Sequence, residues 1–573
     1  MYIDKVPNRN SRPAYLLREA WRENGKVCKR TIANLTDWPQ EKIDALRKLL
    51  RDEPMVNRHE AFSIERSIPH GHVEAILMMM RQLGLDELIS SKRSRERDLV
   101  LAMIAERLID PCSKLATTRL WHSTTLAREL GVEDADENEL YAAMDWLAER
   151  QAMIEQRLAT RHLHEGSQVF YDISSSYYEG SHCELATWGH NRDKKQGKPI
   201  IVYGVLTDAD GRPVAVEVYP GNTADPTSVP DQVDKLKNQF SLQQVVLVGD
   251  RGMLTQTQIE VLQTHPGIGW ISALRTEKIR LLVESGVLQL SLFDKQQLAE
   301  ISSEAFPEER LIACFNPLLA DERKYHRQAL LEATEQALEK LKAQVERRVN
   351  KPLSAAEIGQ KLGRSINHYK VAKHFDCDIQ DGRFSFKRNE SAIEREADLD
   401  GMYVIRTSEP KEKLSAEQVV RSYKNLSRVE EVFRTLKSID LRVRPIHHRD
   451  TQRVKAHIFL CLLSYYVQWH MRRALCSLLY EDEQIESQRQ DRDPVRPAEA
   501  SLSARKKKGT GRNSDGVAVH SFSSLLTEMG TLCRNRCKLK FDPDSPEFEQ
   551  DTKPTALQAK VFDLIKAFPV RRS

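Results

Sequence analysis

The sequence has little of what secreted and membrane proteins are built from. Its 573 residues include nine cysteines, an odd and dispersed set that predicts free thiols in a reducing compartment. No stretch approaches the roughly 20 apolar residues of a membrane span. The best candidate, residues 457–471, is shorter and contains His, Ser and Gln, so it predicts a buried helix. The start of the chain lacks the apolar segment of a secretory signal. These absences predict a cytoplasmic protein with no membrane partner.

The sequence also has almost no net charge. Lys and Arg number 87 against 83 Asp and Glu, a formal net charge of +4, while 40% of residues are hydrophobic. That balance is typical of a globular chain and excludes a mainly disordered one. A small total does not exclude nucleic acid, because local patches determine the contacts with phosphates. Basic residues cluster at 89–97, 192–198, 421–455 and 505–512.

Changes in composition and periodicity divide the chain into six parts. They are a small mixed segment (1–60), a helical region (61–165), a strand-rich part (166–275), an interruption (276–404), a mainly helical part (405–480), and a polar linker with a weakly structured C-terminal region (481–573). The strand-rich part has the order strand, hairpin pair, helix, strand, helix, strand. That order predicts an α/β fold with a mixed sheet and helices on its faces.

The interruption at 276–404 has its own pattern. A long charged helix over 323–349 carries Leu331, Leu338 and Val345 at heptad spacing. A hairpin follows, with Asp381 and Gly382 at its turn. The pattern therefore predicts an α+β insertion within the mixed-sheet fold.

Three carboxylates occupy suggestive places. Asp172 lies inside an apolar strand, where a charge is costly unless it is paired or bound to a metal ion. Asp250 follows a buried strand, at the end where open α/β sheets place their ligands. Glu430 lies on a helix with an apolar stripe at 426, 429, 433 and 436. Each acid alone has an ordinary explanation, as a buried paired residue, a turn residue or a solvated helix face. Their joint occurrence predicts a shared site.

The helix around Glu430 also presents a mixed polar face. At about 100° per residue, Tyr423, Glu430, Arg434 and Lys437 fall within one narrow sector beside the apolar stripe. Carboxylate oxygens bind hard divalent cations, and cations and hydroxyl groups bind phosphate oxygens. This face therefore predicts a site for a divalent cation and a phosphate.

Four segments resemble the DDE transposases of bacterial insertion sequences: 171–180 (YDISSSYYEG), 193–225, 246–253 (VLVGDRGM) and 423–448. The closest match is the group with a long insertion before the catalytic Glu and the signature Y-x2-R-x3-E-x6-K. Tyr423, Glu430 and Lys437 match that signature. Leu426 stands at the Arg position, where Arg428 or Arg434 could supply the charge instead. Residues 22–35 also resemble the start of such proteins.

The resemblance implies a ribonuclease-H-like core, formed by 166–275 and 405–480 and interrupted by the insertion. It implies that Asp172, Asp250 and Glu430 are catalytic and hold two Mg²⁺ ions, for which Mn²⁺ can substitute. Implied contacts to DNA come from Tyr423, Arg428, Arg434, Lys437 and His448, with 61–165 as a possible DNA-end-binding domain.

The same resemblance implies an enzyme that cleaves the ends of its element and joins them to target DNA. Its partners would be the terminal inverted repeats, target DNA and a second copy of the chain in a homodimer, in the bacterial nucleoid. In relatives with this signature the cut can pass through a DNA hairpin.

Two alternatives remain open: a metal-dependent nuclease on the same fold, and a non-catalytic DNA-binding regulator derived from a transposase. A kinase, suggested by His448-Arg449-Asp450, is excluded because Lys455 stands where a kinase catalytic loop needs Asn.

Overall fold

The N-terminal segment folds as a small sheet with one helix. A computed structural model describes residues 1–9, 11–53, 61–293, 296–485, 487–488, 492–540, 544 and 546–569. Strands β1 (Tyr2–Val6), β2 (Ala14–Glu23) and β3 (Lys26–Asn34) pair antiparallel in that order, and helix α1 (Gln40–Leu49) follows. Asn24 and Gly25 both have positive φ between β2 and β3, as a tight hairpin turn requires.

The next region is helical, as the periodicity predicts. After strand β4 (Phe62–Pro69) come α2 (Gly71–Gln82), α3 (Leu85–Ile89), α4 (Arg95–Ile109), α5 (Lys114–Leu120), α6 (Leu126–Leu130), α7 (Glu137–Ala148) and α8 (Gln151–His162). Helix α4 is buried along nearly its whole length. It packs against its neighbours at the centre of this layer.

A mixed sheet forms the core of the molecule. Its elements are β5 (Ser167–Tyr177), β6 (Ile200–Thr207), β7 (Pro213–Pro220), α9 (Val229–Asp234), β8 (Val245–Val248), α10 (Gln256–Gln263) and β9 (Ile268–Ala273). The strand order is β7-β6-β5-β8-β9. Strands β5, β8 and β9 are parallel, whereas β5, β6 and β7 pair antiparallel. The predicted ribonuclease-H-like mixed sheet is confirmed.

The interruption extends this sheet and adds a helical lobe. Its elements are α11 (Thr276–Glu284), β10 (Leu298–Ile301), β11 (Arg310–Phe315), α12 (Pro317–Glu346), α13 (Ala355–Ile366), β12 (Phe375–Gln380), β13 (Arg383–Arg388), α14 (Glu390–Ala397) and β14 (Met402–Thr407). Strand β14 pairs with β9, and β11 and β10 follow it outward. Leu331, Leu338 and Val345 are buried in the lobe's own apolar cluster, and Gly382 has the positive φ of a hairpin turn. The predicted α+β insertion is confirmed.

Two short helices and one long helix complete the core: α15 (Ala416–Lys424), α16 (Ser427–Lys437) and α17 (Thr451–Ala474). The predicted buried helix over 457–471 lies within α17, and all residues of that segment but Trp469 are buried. Among the described residues, no helix is both long enough and apolar enough to span a membrane. All nine cysteines carry free thiols, as their dispersed count predicts.

The C-terminal region has more structure than the sequence suggests. It contains α18 (Leu502–Thr510), α19 (Phe522–Gly530), β15 (Cys533–Leu539), β16 (Phe548–Asp551) and α20 (Ala556–Ala567). Strand β15 lies between β4 and β16 in an antiparallel sheet, and α19 and α20 pack on α2. The expectation of weak structure was wrong because this order depends on partners near the other end of the chain.

Candidate active site

One predicted acid, Asp172, lies on β5, and a second, Asp250, lies two residues past the end of the neighbouring parallel strand β8. Phe170 on β5 pairs with Val248 on β8. Continuing that register by two residues brings Asp172 opposite Asp250. Parallel neighbours lie about 4.8 Å apart, so the two carboxylates share one edge of the sheet. The parallel pairing of β5 and β8 therefore brings together residues far apart in the sequence.

Backbone amides hold both aspartates in place. The Ile173 N–H donates to Asp172 Oδ1 at 2.8 Å. Asp250 Oδ1 accepts hydrogen bonds from the amides of Gly252 and Met253 at 2.9 and 2.8 Å. Each carboxylate is thus fixed through one oxygen by its own turn or strand.

The third acid lies on α16, which packs over β5. The four residues of the predicted apolar stripe are buried: Leu426, Val429, Phe433 and Leu436. Phe433 meets the Tyr203 ring of β6 edge-on, with 5.8 Å between ring centroids. Glu430 is exposed at the margin of this contact. The stripe therefore presses α16 on the sheet and leaves Glu430 beside it.

The structure corrects one feature of the sequence interpretation. Tyr423 and Glu430 do not share a continuous helix, because α15 ends at Lys424 and α16 begins at Ser427. Leu426, at the junction, is buried, and its burial anchors the turn. The narrow sector inferred from one uninterrupted helix is therefore wrong, although both side chains still face the aspartates.

The three acids and Tyr423 interact electrostatically. Burial, followed by the neighbouring carboxylates of Asp250 and Glu430, raises the pKa of Asp172 to about 7. Burial, followed by Asp250 and Glu430, also raises the pKa of Tyr423 to about 12. Asp172 therefore titrates near neutral pH, and the Tyr423 hydroxyl keeps its proton.

The donor atoms suit a hard divalent cation. Three carboxylates offer oxygen ligands, and a cation between them would offset the repulsion that adds to burial in raising the pKa of Asp172. Within the described ranges, no group of three His, Cys, Asp or Glu side chains lies close enough to hold a metal ion. The three carboxylates interact electrostatically, but their spacing is wider than that of a metal-binding group.

Glu430 and Glu431 face different surroundings. Glu430 acts on Asp172 and Tyr423. Glu431 instead lines a separate cavity with Arg472 and acts on that guanidinium. Of the two adjacent acids, only the first acts on residues of the candidate site.

Lys437 is held inside the protein. Its Nζ donates to Ser174 Oγ at 2.8 Å, to the Ser175 carbonyl at 2.6 Å and to Asp193 Oδ1 at 3.0 Å. Burial lowers the pKa of Lys437 even though Asp193 opposes the shift. Asp193 also pairs with Arg444 and accepts from the Tyr177 N–H at 3.1 Å. All three ammonium donors are therefore used within the chain.

The other predicted DNA contacts lie in three different places. Arg428 is buried, and its guanidinium contacts the Ala209 carbonyl and Asp210 at the β6–β7 turn. Arg434 is exposed on α16. The His448 ring lies 6.0 Å from that of Tyr141, in a basic cavity beside the core. Burial lowers the pKa of His448 to about 4, so its ring is neutral at neutral pH.

Two arginines near the acids were missed by the sequence interpretation. Arg192 lowers the pKa of Asp172, against the larger effect of burial, and binds both oxygens of Asp225 at 2.6 Å. Arg251 acts similarly on Tyr423. The adjacency of Arg251 to Asp250 in the sequence was the available signal for it. Arg192 belongs to the basic cluster at 192–198, but no spacing marked it as a neighbour of Asp172. Its loop is held over β5 by a hydrogen bond from the Arg192 N–H to Ser175 Oγ.

Family comparisons agree with this geometry. A family model described as "Transposase DDE domain" matches residues 164–467, more than half of the chain. The chain belongs to the DDE transposases. A second model, "IS1634 family transposase, N-terminal domain", matches residues 3–58 of the transposase, which makes it the enzyme of an insertion sequence. The resemblance inferred from the sequence is confirmed, and the family supports a DNA-cutting and DNA-joining enzyme.

Comparison with individual proteins adds less. Among curated proteins, none matches the transposase. Among solved structures it is similar to the piggyBac transposase synaptic complex with hairpin DNA, determined by cryo-electron microscopy. The two are 9% identical with a TM-score of 0.33, over 88% of this chain and 85% of the other. That likeness is too distant to inform the site.

Proposed function

We propose that this transposase cleaves the ends of its insertion sequence and joins them to target DNA at Asp172, Asp250 and Glu430. The observation that carries the proposal is the parallel pairing of β5 with β8, which brings Asp172 beside Asp250. The raised pKa of Asp172, to which both other acids contribute after burial, agrees with it. The three acids come from strand β5, the turn after β8 and helix α16, and the family supplies the class of reaction. Perturbed carboxylates in such a place are typical of catalytic sites.

The three carboxylates would hold Mg²⁺, with Mn²⁺ as a substitute, through oxygen ligands. When bound, a pair of such ions activates the attacking hydroxyl and stabilises the leaving oxygen of a phosphodiester. Glu430 is exposed, so its side chain can turn toward the aspartates without crossing the core. In Asp172 and Asp250, backbone amides bind Oδ1, which leaves Oδ2 of each residue for a metal ion.

The remaining residues of the site act on the DNA. The Tyr423 hydroxyl, protonated up to high pH, donates to a phosphate oxygen near the bond that breaks. Arg251 offsets the negative charge of that phosphate, as cations at phosphoryl-transfer sites do. Arg434, one helical turn beyond Glu430 and exposed, contacts the strand further along. Lys437 and Arg428 position α16 rather than touching DNA, because protein atoms already occupy their donors.

The partners follow from this chemistry. They are the terminal inverted repeats, target DNA and a second copy of the chain, since two ends must be brought together. Residues 61–165 form a candidate DNA-end-binding domain. Several arginines at its basic start are paired with carboxylates, among them Arg93 with Asp98 and Arg95 with Glu139, so that segment contributes little to phosphate binding.

A cleavage assay tests the proposal. The purified transposase is incubated with duplex DNA from the end of its element, with Mg²⁺ or with EDTA, beside the Asp250→Asn variant. We expect Mg²⁺-dependent cleavage followed by end joining, and neither with the variant. Cleavage without joining would favour a nuclease. DNA binding without Mg²⁺-dependent cleavage would indicate a regulator and contradict the proposal.

A further inference from the structure

A second basic site lies beside the acids and is not used by the mechanism above. It is a cavity of about 530 Å³ between α4, α5 and α7 on one side and the segment from Arg442 to the start of α17 on the other. Six of its lining residues are cations: Arg107, Lys114, Arg442, Arg444, Arg449 and Arg453. Asp450 is the carboxylate among its described lining residues, and its oxygen already caps α17. Arg444 and Arg453 pair with Asp193 and Asp145, so the positive charge left for a ligand comes from the other four cations.

Lys114 is the residue that points to a ligand. It is 5% exposed and, within the part of the chain that the structure describes, makes no hydrogen bond or ion pair. Burial, followed by Arg107, lowers the pKa of Lys114 to about 7, and nearby Glu106 only partly opposes this. A buried ammonium without a partner is costly. Its position in the wall of a cationic cavity leaves an anion as the natural partner.

Another buried lysine shows what a purely structural role looks like. Lys507 is 1% exposed. Its Nζ donates to the carbonyls of Cys476 and Glu481 at 2.8 and 3.0 Å and pairs with Glu483. Protein oxygens thus satisfy Lys507, whereas none satisfies Lys114. Both lysines are buried, but only the ammonium group of Lys507 is bound by protein oxygens.

The cavity adjoins the catalytic edge. Arg444 lines it and also pairs with Asp193, which holds Lys437 against Ser174, two residues along β5 from Asp172. Ile446 forms a bridge with Tyr178 just beyond the end of β5. Two residues of an extended strand cover about 7 Å. The cavity therefore lies within the span of a few nucleotides from the acids.

We propose that this cavity binds a backbone phosphate of the element-end DNA, with Lys114 and Arg449 as ligands. The inference rests on the proposed function, because it takes the DNA strand at the acids to continue past Arg444. A half-open cationic cavity accepts one phosphate group, while the rings of His448 and Tyr141 provide a surface for the adjoining sugar or base. Charge-assisted hydrogen bonds from Lys and Arg are the usual means of holding such a group.

DNA binding by full-length Lys114→Met tests the site. We expect a dissociation constant for element-end duplex about tenfold higher, and a salt dependence reduced by about one phosphate contact. Its melting temperature should not fall, because the change removes an unpaired buried charge. Lys507→Met is the matched control. It should melt earlier and bind DNA with unchanged salt dependence.

Two further experiments distinguish DNA binding from a folding defect and from binding of a free anion. Arg449→Gln changes an exposed residue at the rim and should weaken DNA binding in the same direction without affecting folding. In a second experiment, thermal unfolding of wild type and of Lys114→Met is measured over a range of pyrophosphate concentrations.

If Lys114→Met and Arg449→Gln both bind DNA like wild type, the proposal is overturned. If pyrophosphate protects only wild type while DNA binding is unaltered, the cavity binds a free anion and the DNA assignment is likewise overturned. If Lys114→Met loses DNA binding but wild type does not cleave DNA, the proposed function is rejected. The phosphate site is then still supported.

Discussion

Lys437 Nζ lies 3.0 Å from Asp193 Oδ1, and the two side chains are 12% and 2% exposed. The resemblance to transposases implied a DNA contact for the lysine. The structure buries them against each other at the end of α16. Asp193 in turn joins α16, the Arg444 segment and the Tyr177 backbone. This ion pair therefore determines where the helix that carries Glu430 meets β5.

Removing the aspartate should damage both folding and cleavage. Asp193→Ala leaves Lys437 and Arg444 without their shared carboxylate, and breaking a buried pair costs about 3–5 kcal/mol. We expect urea denaturation to show a loss of that size, with cleavage of element-end DNA lost as well. The exposed pair of Asp515 and Lys560 provides the control, since Asp515→Ala should cost under about 1 kcal/mol. A loss for Asp193→Ala no larger than that of the control would contradict the role given to Asp193.

Lys437→Ala should separate positioning from DNA contact. The variant should cleave element-end DNA far more slowly, because α16 loses its bonds to Ser174, Ser175 and Asp193. Its DNA affinity should keep the wild-type salt dependence, because no phosphate contact is removed. Fluorescence anisotropy over a range of salt concentrations measures this. A slope smaller by about one contact would mean that Lys437 leaves its protein partners to bind DNA.

Asp172 should make the metal-free protein less stable as pH rises. Its pKa is raised from 3.8 to about 7 on folding, so between these values the folded state holds a proton that the unfolded state has lost. Stability therefore falls as pH rises from about 4 to about 7. In EDTA, Asp172→Asn should match wild type near pH 4 and melt at a higher temperature at pH 8.

Adding Mg²⁺ provides the control for that comparison. At pH 8 the ion should raise the melting temperature of wild type more than that of Asp172→Asn, because it offsets the repulsion among the acids. Equal melting curves for wild type and Asp172→Asn at pH 8 in EDTA would contradict the raised pKa of Asp172.

Much of the core could be predicted from local patterns. The apolar strands around Asp172 and before Asp250 gave their strand order, and parallel pairing then brought the two acids to one edge. The apolar stripe of α16 likewise gave the face that packs on the sheet.

Other features depended on contacts between distant parts of the chain. The turn at Leu426, which separates Tyr423 from Glu430, is produced by burial in the assembled core. The partners of Lys437 come from β5 and from the loop that carries Asp193. Lys114 lies far from the acids in sequence, and only the packing of α5 beside the segment after α16 reveals the charged cavity. No spacing in the sequence encodes these contacts.

Cleavage of element-end DNA by Glu430→Gln, compared with Glu431→Gln, tests the catalytic assignment most directly. The two variants make the same change, from a carboxylate to an amide, at adjacent positions of the same helix. With Mg²⁺, Glu430→Gln should lose strand cleavage while its DNA-end binding stays intact, and Glu431→Gln should cleave at nearly the wild-type rate. Wild-type cleavage by Glu430→Gln, or equal loss in both variants, would contradict the assignment of Asp172, Asp250 and Glu430 as the catalytic carboxylates.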